Sequence, residues 1–244
     1  MRRLKIADLE VVLGGGPDRE GGGTGPMLVL MHGYGAPGDD LVPLARQLAV
    51  DSSVRFCFPA APHLLELGMP ADASGRAWWQ IDMIELQRAV MLGDYETLTT
   101  RVPEGLTEAR AALQGLLTAL ERDHGVTPER LVLGGFSQGA MLATDVTLHA
   151  ERAPAALVIL SGSLIARNEW LPRMKARAGL RVLQSHGRAD PVLSYELAEK
   201  LRDELTQAGM QVSFVGFNGG HGIPNGVIGE LSKLLGTLTG EAPV

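Results

Sequence analysis

The chain has 244 residues, of which 45% are hydrophobic and 20% are charged, so it can bury a core large enough for one domain over residues 1–244. Its formal net charge is -6 and no run of lysines and arginines occurs, which argues against nucleic acid as a partner. The single cysteine, Cys57, cannot form an internal disulfide, and no apolar run approaches the roughly 20 residues needed for stable membrane insertion.

The first residues do not resemble a secretory signal. Asp8 and Glu10 interrupt the region that would have to be continuously apolar, and no small-residue cleavage site follows. We therefore predict a cytoplasmic protein. The sequence leaves open whether the chain pairs into a homodimer.

The predicted elements alternate between short buried strands and longer helices. Strands are predicted at LEVVL and at residues 27–32, 54–58, 130–136, 155–162, 180–187 and 211–217. Helices are predicted at residues 39–49, 103–125, 138–150 and 194–209, with a last one from Pro224. This pattern predicts an α/β fold in which helices cover both faces of a mostly parallel central sheet.

Residues 59–102 depart from this alternation. The segment shows no clear hydrophobic period and carries the sequence AWWQID. Because loops of this length in a compact domain are usually functional, we predict a long loop that acts as a lid or as the wall of a pocket.

The motif G-x-S-x-G at residues 135–139 makes Ser137 the candidate nucleophile. The motif alone is weak evidence, because a chain with 31 glycines can contain it by chance. A predicted strand precedes the motif and a predicted helix follows it, which is the setting of the nucleophile turn in α/β-hydrolases. The alternative is a plain glycine turn.

A serine hydroxyl needs a base within hydrogen-bonding distance. In α/β-hydrolases the order along the chain is serine, acid, histidine. His149 lies near the end of the helix after the motif, and His186 precedes the candidate acid. We therefore predict His221 as the base, in the glycine-flanked loop before the last helix.

Asp190 is the predicted acid, because it follows a predicted strand at the sheet edge where parallel strands form their binding loops. Its carboxylate would orient the histidine. Asp190 followed by Pro191 is also typical of a helix N-cap, and the two interpretations agree only if the carboxylate has an oxygen to spare. Glu169 is the alternative acid.

Two backbone N–H groups, those of Tyr34 and Gln138, are predicted to form an oxyanion hole. The loop that carries Tyr34 also contains Gly33, Gly35 and Gly38 in the spacing of a dinucleotide-binding turn. That alternative lacks the acidic residue expected about 20 residues later, where the chain reads FPAAP.

With these residues in place, the sequence resembles the phospholipase/carboxylesterase family of α/β-hydrolases, which includes bacterial carboxylesterases and the acyl-protein thioesterases. The similar segments are LMHGYGAPGDDLVPLA, FPAAP, AWWQID, GGFSQGAM, HGRADPVLSYELAEKL and GGHGIP. The resemblance implies a single-domain α/β-hydrolase fold and a triad of Ser137, Asp190 and His221. It also implies an oxyanion hole from Tyr34 and Gln138, and hydrolysis of carboxylic esters or thioesters without a cofactor or metal.

Three features depart from the family pattern. Tyr34 stands where family members usually have an aliphatic residue, Gln80 stands where they commonly have Asp, and residues 63–76 follow no family pattern. We predict that Trp79 forms a wall of the acyl pocket and binds substrate while Trp78 packs inward.

The sequence therefore predicts a serine carboxylesterase that hydrolyses small-molecule esters through an acyl-enzyme intermediate. An acyl thioesterase or a lysophospholipase would use the same triad and is the first alternative. A non-catalytic protein or a nucleotide-binding protein on the same fold is the remaining one.

Overall fold

The computed structural model describes residues 1–65 and 75–240. Eight strands form the main sheet, in the spatial order β1 (Arg2–Ile6), β2 (Leu9–Gly15), β4 (Arg55–Pro59), β3 (Met27–Met31), β7 (Leu131–Phe136), β8 (Ala156–Leu160), β9 (Arg181–Gly187) and β10 (Gln211–Phe217). The six strands from β4 to β10 in this order are parallel, whereas β1 and β2 are antiparallel to their neighbours. The prediction of a mostly parallel sheet is confirmed. A separate short pair is formed by β5 (His63–Leu64) and β6 (Arg76–Ala77).

Helices cover both faces of the main sheet. They are α1 (Met83–Leu92), α2 (Tyr95–Thr100), α3 (Leu106–His124), α4 (Gln138–His149), α5 (Arg167–Met174), α6 (Tyr195–Gln207) and α7 (Asn225–Thr239). No helix in the described ranges is both long and apolar enough to cross a bilayer.

Strand β3 shows why the strands of this sheet appear in the sequence as continuous apolar runs. Met27, Val29 and Met31 belong to the core on the face covered by α3 to α6. Leu28 and Leu30 belong to the core on the opposite face, under α7. Because successive side chains of a strand point to opposite faces, a strand buried on both sides needs an apolar residue at every position.

The prediction of a loop over residues 59–102 was wrong in part, because the segment contains α1 and α2. Asp82 Oδ1 accepts hydrogen bonds from the N–H groups of Ile84 and Glu85, and Asp94 Oδ1 accepts one from Thr97. These are side-chain caps at helix N-termini, so the two aspartates were the start signals that the sequence offered. Residues 66–74 lie outside the described ranges.

Two other helix predictions need correction. The predicted helix over 39–49 is a five-residue 3-10 helix, Val42–Arg46. Pro43 lies in its first turn, where no N–H is needed, but would interrupt an α-helix that began at residue 39. Helix α5 was not predicted, since it buries only Trp170 and Met174 and therefore has no clear apolar period.

A buried carboxylate joins three of the helices on one face. Asp145 of α4 is completely buried and accepts hydrogen bonds from Arg110 of α3, at 2.6 Å from Nε and 3.2 Å from Nη2. The indole N–H of Trp170 on α5 donates to the same carboxylate at 2.9 Å. The charge is therefore both paired and hydrogen-bonded, as a buried charge must be.

We expect Asp145→Ala to lower the free energy of unfolding by about 3 to 5 kcal/mol, because it leaves the Arg110 guanidinium without its buried partner. Asp123→Ala is the matched control: it removes an exposed carboxylate paired with Arg122 and should barely change stability. Urea unfolding of both variants measures the difference. Equal losses would show that the buried pair has no special role.

Candidate active site

Ser137 occupies a strained turn between β7 and α4. Its φ of 53° and ψ of -118° are outside the regions that L-residues commonly adopt. The turn is held on both sides: the Ser137 N–H donates to the Leu160 carbonyl at 2.8 Å, and the Ser137 carbonyl accepts from the N–H groups of Ala140 and Met141. Strain that the surroundings maintain in this way is typical of functional residues.

The glycines on either side of Ser137 are required by close packing. A Cβ on Gly135 would lie 2.2 Å from the backbone of Gly139, and a Cβ on Gly139 would lie 2.4 Å from the Met31 carbonyl oxygen. Strand β7, the turn and the start of α4 are therefore packed too closely for any side chain at these positions. The plain glycine turn does not explain this packing together with the strained serine.

Asp190 and His221 are joined by a hydrogen bond. His221 Nδ1 lies 2.7 Å from Asp190 Oδ2, and the Asp190 side chain is completely buried while that of His221 is 17% exposed. Since a carboxylate only accepts, Nδ1 carries the hydrogen, which leaves Nε2 of His221 free to act as a base.

The second carboxylate oxygen of Asp190 shows whether this residue also caps a helix. Oδ1 accepts hydrogen bonds from the N–H groups of Val192 and Leu193 at 2.8 and 3.0 Å. The prediction of a helix N-cap at Asp190 was wrong in its position, because α6 begins only at Tyr195 and Asp190 instead stabilises the turn before it. The carboxylate therefore supports the turn with one oxygen and holds His221 with the other.

Asp190 remains ionised although it is buried. Burial by itself raises the pKa of this carboxyl, whereas the His186 and His221 rings lower it. The backbone N–H groups of Leu193 and Val192 add to this effect, and the pKa is held well below its usual range.

The loop that carries His221 is fixed to the loop that carries Asp190. The Ala189 N–H donates to the Gly219 carbonyl at 3.0 Å, and the Arg188 N–H donates to the Phe217 carbonyl at 2.9 Å. These bonds continue the pairing of β9 with β10 beyond the ends of the strands.

His221 also lies beside the nucleophile turn. Its ring centroid is 4.7 Å from that of Phe136, the residue that precedes Ser137. Within the described part of the chain, the Ser137 hydroxyl makes no hydrogen bond, so the structure joins acid to base but does not join base to serine. Such contacts are often loose in an enzyme without substrate and shorten when substrate binds.

The two predicted oxyanion donors are free. Among the described residues, neither the Tyr34 N–H nor the Gln138 N–H donates a hydrogen bond. Gln138 is the first residue of α4, where helical N–H groups have no partner within the helix and attract negative charge. Gly33, next to Tyr34, lies against the nucleophile, because a Cβ on it would be 3.2 Å from the Cβ of Ser137.

The side chain of Gln138 joins the nucleophile turn to the tryptophan pair. Its Oε1 accepts from the Trp78 N–H at 2.9 Å, and its Nε2 donates to the Trp79 carbonyl at 2.8 Å. Sequence reasoning used only the backbone of Gln138 and missed this contact. Both tryptophans are buried in the core, with Trp79 2% exposed, and the role of Trp79 as a pocket wall stays a prediction.

The alternative residues lie elsewhere. Glu169 Oε2 is 3.5 Å from Arg110 Nη2 and 3.7 Å from His149 Nε2, within the group around Asp145. The structure therefore places neither the alternative acid nor the first alternative base beside His221.

His186 belongs to the site although the order of residues excluded it as the base. It is completely buried, and its Nε2 lies 3.2 Å from Asp190 Oδ2 and 3.1 Å from the Leu193 carbonyl. Both neighbours are acceptors, so Nε2 carries a hydrogen, which it donates to the Leu193 carbonyl while the ring lies against the carboxylate that holds His221. The spacing of four residues between His186 and Asp190 was the signal in the sequence.

His32 is a further buried histidine, at the end of β3. Its Nε2 accepts a hydrogen bond from the Ala61 N–H at 2.9 Å, and its Nδ1 lies 2.8 Å from the Gly33 carbonyl. Burial lowers the pKa of His32 from 6.5 to about 4, so the ring is neutral at pH 7.

We expect Gly139→Ala to destabilise the protein by about 1 to 3 kcal/mol or more, because its Cβ would overlap the Met31 carbonyl and force the strand and helix apart. Gly229→Ala, at an exposed position of α7 with open space around it, should instead stabilise by up to about 1 kcal/mol. Thermal unfolding of the two variants shows whether each substitution raises or lowers the stability. A neutral Gly139→Ala would contradict the packing described above.

The lowered pKa of His32 predicts a pH-dependent stability. Between pH 6.5 and about 4 the unfolded chain binds a proton that the folded protein does not, so stability falls with falling pH by at most about 3 kcal/mol, and not further below pH 4. His32→Asn should remove this part of the dependence, whereas His63→Asn, at an exposed position, should leave it. Urea unfolding at several pH values measures it, and identical profiles for wild type and His32→Asn would refute the prediction.

Comparison with known proteins identifies the family. Residues 21–239 match the family model described as Phospholipase/Carboxylesterase. The acyl-protein thioesterase 1 of Neurospora crassa is 28% identical over 88% of this chain and 86% of its own length. That of Mycosarcoma maydis is 31% identical over 77% of this chain and 80% of its own length.

Solved structures show the same fold. A carboxylesterase from Mesorhizobium loti has a TM-score of 0.72 at 19% identity and covers 96% of this chain and 97% of its own. The Bacillus cereus carboxylesterase has a TM-score of 0.69 at 21% identity and covers 95% of each chain. The fold, the matched residues and the relatives agree, and the chain belongs to the phospholipase/carboxylesterase family, as a serine hydrolase with the α/β-hydrolase fold.

Proposed function

We propose that this protein hydrolyses carboxylic esters, with Ser137 as the nucleophile, His221 as the general base and acid, and Asp190 as the residue that orients His221. The observation that supports this best is the buried Asp190–His221 hydrogen bond of 2.7 Å, with the His221 ring against Phe136. The serine in the adjacent strained turn is the nucleophile that this base would serve.

In the first half of the reaction, Ser137 Oγ attacks the ester carbonyl while Nε2 of His221 takes its proton. The tetrahedral intermediate then collapses, and His221 returns the proton to the leaving alcohol. In the second half, His221 takes a proton from water as the water oxygen attacks the acyl-enzyme. The second tetrahedral intermediate then collapses, His221 returns the proton to Ser137 Oγ, and the carboxylic acid is released.

Asp190 acts electrostatically in both halves. It stays ionised because the donors around it hold its pKa low, so it faces His221 with a negative charge when the imidazolium forms. Because His221 Nδ1 donates its hydrogen to Asp190, Nε2 is the nitrogen left to take the proton of the serine.

We assign the oxyanion hole to the backbone N–H groups of Tyr34 and Gln138. Donors that are fixed before the reaction stabilise the negative oxygen of the tetrahedral intermediate without having to reorient. Support comes from the position of Gln138 at the start of α4 and from the approach of Gly33 to Ser137.

We also propose that residues 59–102, with Trp79, form one wall of the acyl pocket. The segment contacts the nucleophile turn through Gln138, and it contacts the loop of Asp190 by a hydrogen bond of 3.4 Å between the Ser194 and Tyr95 hydroxyls.

We assign the reaction to the cytoplasm. The described cysteine, Cys57, is free and fully buried, which suits a reducing compartment.

A thioesterase activity is the second candidate, because both relatives described above are named acyl-protein thioesterases. The same three side chains would cleave a thioester, with a thiol leaving in place of the alcohol. A lysophospholipid, whose acyl chain is joined to glycerol by a carboxylic ester, is the third candidate substrate, because the family description also names phospholipases.

Labelling with a fluorophosphonate tests the nucleophile. We expect the wild type to be labelled once per chain and Ser137→Ala to lose both label and ester hydrolysis, with kcat at least about 10⁴-fold lower. Ser213→Ala, at an exposed position of β10, is the control and should keep both. Label or activity that persists in Ser137→Ala would refute the assignment.

Matched esters and thioesters of the same acyl chain separate the candidate substrates. The panel should include p-nitrophenyl esters and acyl-coenzyme A thioesters of two to sixteen carbons, together with a lysophosphatidylcholine. We expect a higher kcat/KM for esters at each chain length. The reverse order would make the thioesterase the better assignment without changing the triad.

A further inference from the structure

His32 has two hydrogen-bonding partners that together fix its tautomer. The Ala61 N–H can only donate, so His32 Nε2 must accept. Nδ1 then carries the hydrogen and donates to the Gly33 carbonyl at 2.8 Å. The low pKa that burial gives the ring keeps this neutral form at the pH where an esterase works.

The Gly33 carbonyl belongs to the same peptide unit as the Tyr34 N–H. This peptide is trans, so its C=O and N–H point in opposite directions across a rigid plane. A hydrogen bond that holds the carbonyl against the His32 ring therefore also turns the Tyr34 N–H away from that ring.

The peptide lies beside the nucleophile. A Cβ on Gly33 would be 3.2 Å from both the Phe136 ring and the Cβ of Ser137. The peptide that carries the Tyr34 N–H therefore begins next to the serine, and its carbonyl end is anchored to His32.

The His32 ring, which anchors this peptide, is held in place by its neighbours. The His32 ring is 1% exposed and lies 5.5 Å from the Trp78 ring, and the Trp78 indole N–H donates to the His32 carbonyl at 3.0 Å. The same carbonyl is 2.6 Å from where a Cβ on Gly139 would be, so α4 closes the other side.

We propose that His32 is a positioning residue of the oxyanion hole: its Nδ1–H holds the Gly33 carbonyl and thereby aims the Tyr34 N–H at the oxygen that becomes negative. This inference rests on the proposed function, which assigns that N–H to the oxyanion hole. Nothing in it requires His32 to exchange a proton or to touch substrate.

Two substitutions test the hydrogen bonds of the two His32 ring nitrogens one at a time. In His32→Asn the side-chain amide nitrogen takes the place of Nδ1 and still donates to Gly33, while the acceptor for Ala61 is lost. In His32→Gln the amide oxygen takes the place of Nε2 and still accepts from Ala61, while the donor to Gly33 is lost. Each variant loses one buried hydrogen bond, so a purely structural role would affect both alike.

We expect His32→Gln to lower kcat with p-nitrophenyl esters about 100-fold with little change in KM, as does the loss of an oxyanion donor in other hydrolases. His32→Asn should keep kcat within about tenfold of the wild type. A trifluoromethyl ketone, which forms a tetrahedral adduct with the serine, should bind His32→Gln more weakly by a similar factor, while a carboxylate product should bind all three proteins equally.

Equal losses of kcat in the two variants, or ketone binding that does not follow kcat, would overturn the role of His32. A wild type that hydrolyses none of the esters would instead refute the proposed function, so the two failures are distinct.

The tautomer in the wild type gives a test that does not depend on the variants folding. Nitrogen-15 NMR of the histidine rings should show His32 with the hydrogen on Nδ1 from pH 5 to 8. A hydrogen on Nε2, or a ring that titrates near pH 6.5, would overturn the proposal.

Discussion

The site depends on a carboxylate that stays charged where it is buried. Burial favours the protonated form of Asp190, and that form could not stabilise an imidazolium on His221. The protein overcomes this with donors on both carboxylate oxygens: backbone N–H groups on Oδ1 and His221 Nδ1–H on Oδ2, with His186 Nε2 3.2 Å from Oδ2 as well. The turn before α6 is therefore more than a connection, because its N–H groups help to keep the acid ionised.

The parallel sheet explains why residues far apart in sequence meet at one edge. Strands β7, β9 and β10 all end on the same side, and the loops that follow them carry Ser137, Asp190 and His221. Strand β3 ends on that side too and leads into His32 and the predicted oxyanion loop. Helix α4 then completes the arrangement, since its first N–H groups lie beside the serine and its close approach to β3 excludes a side chain at Gly139.

The histidines of the site differ because their partners differ. His221 faces a carboxylate with Nδ1 and is partly exposed, which leaves Nε2 for substrate chemistry. His186 lies in the core against the same carboxylate and donates to the Leu193 carbonyl. His32 accepts from a backbone N–H, and burial keeps it neutral. In the proposed mechanism, one residue type thus provides a base, a support for the acid and a support for a backbone peptide, according to which nitrogen each partner occupies.

The sequence by itself determined the parallel sheet and most helices, because apolar runs and caps are local signals. It also determined the candidate triad, because α/β-hydrolases keep the chain order serine, acid, histidine. Only the tertiary structure decided that Asp190 supports a turn with one oxygen and His221 with the other, that His186 lies beside them, that Gln138 contacts Trp78, and that His32 contacts the Gly33 carbonyl. These contacts join segments up to 60 residues apart. The long-range contacts, of His221 with Asp190 and of Gln138 with Trp78, have no local signal, since they depend on which nitrogen or oxygen faces which neighbour once the strands and helices have packed.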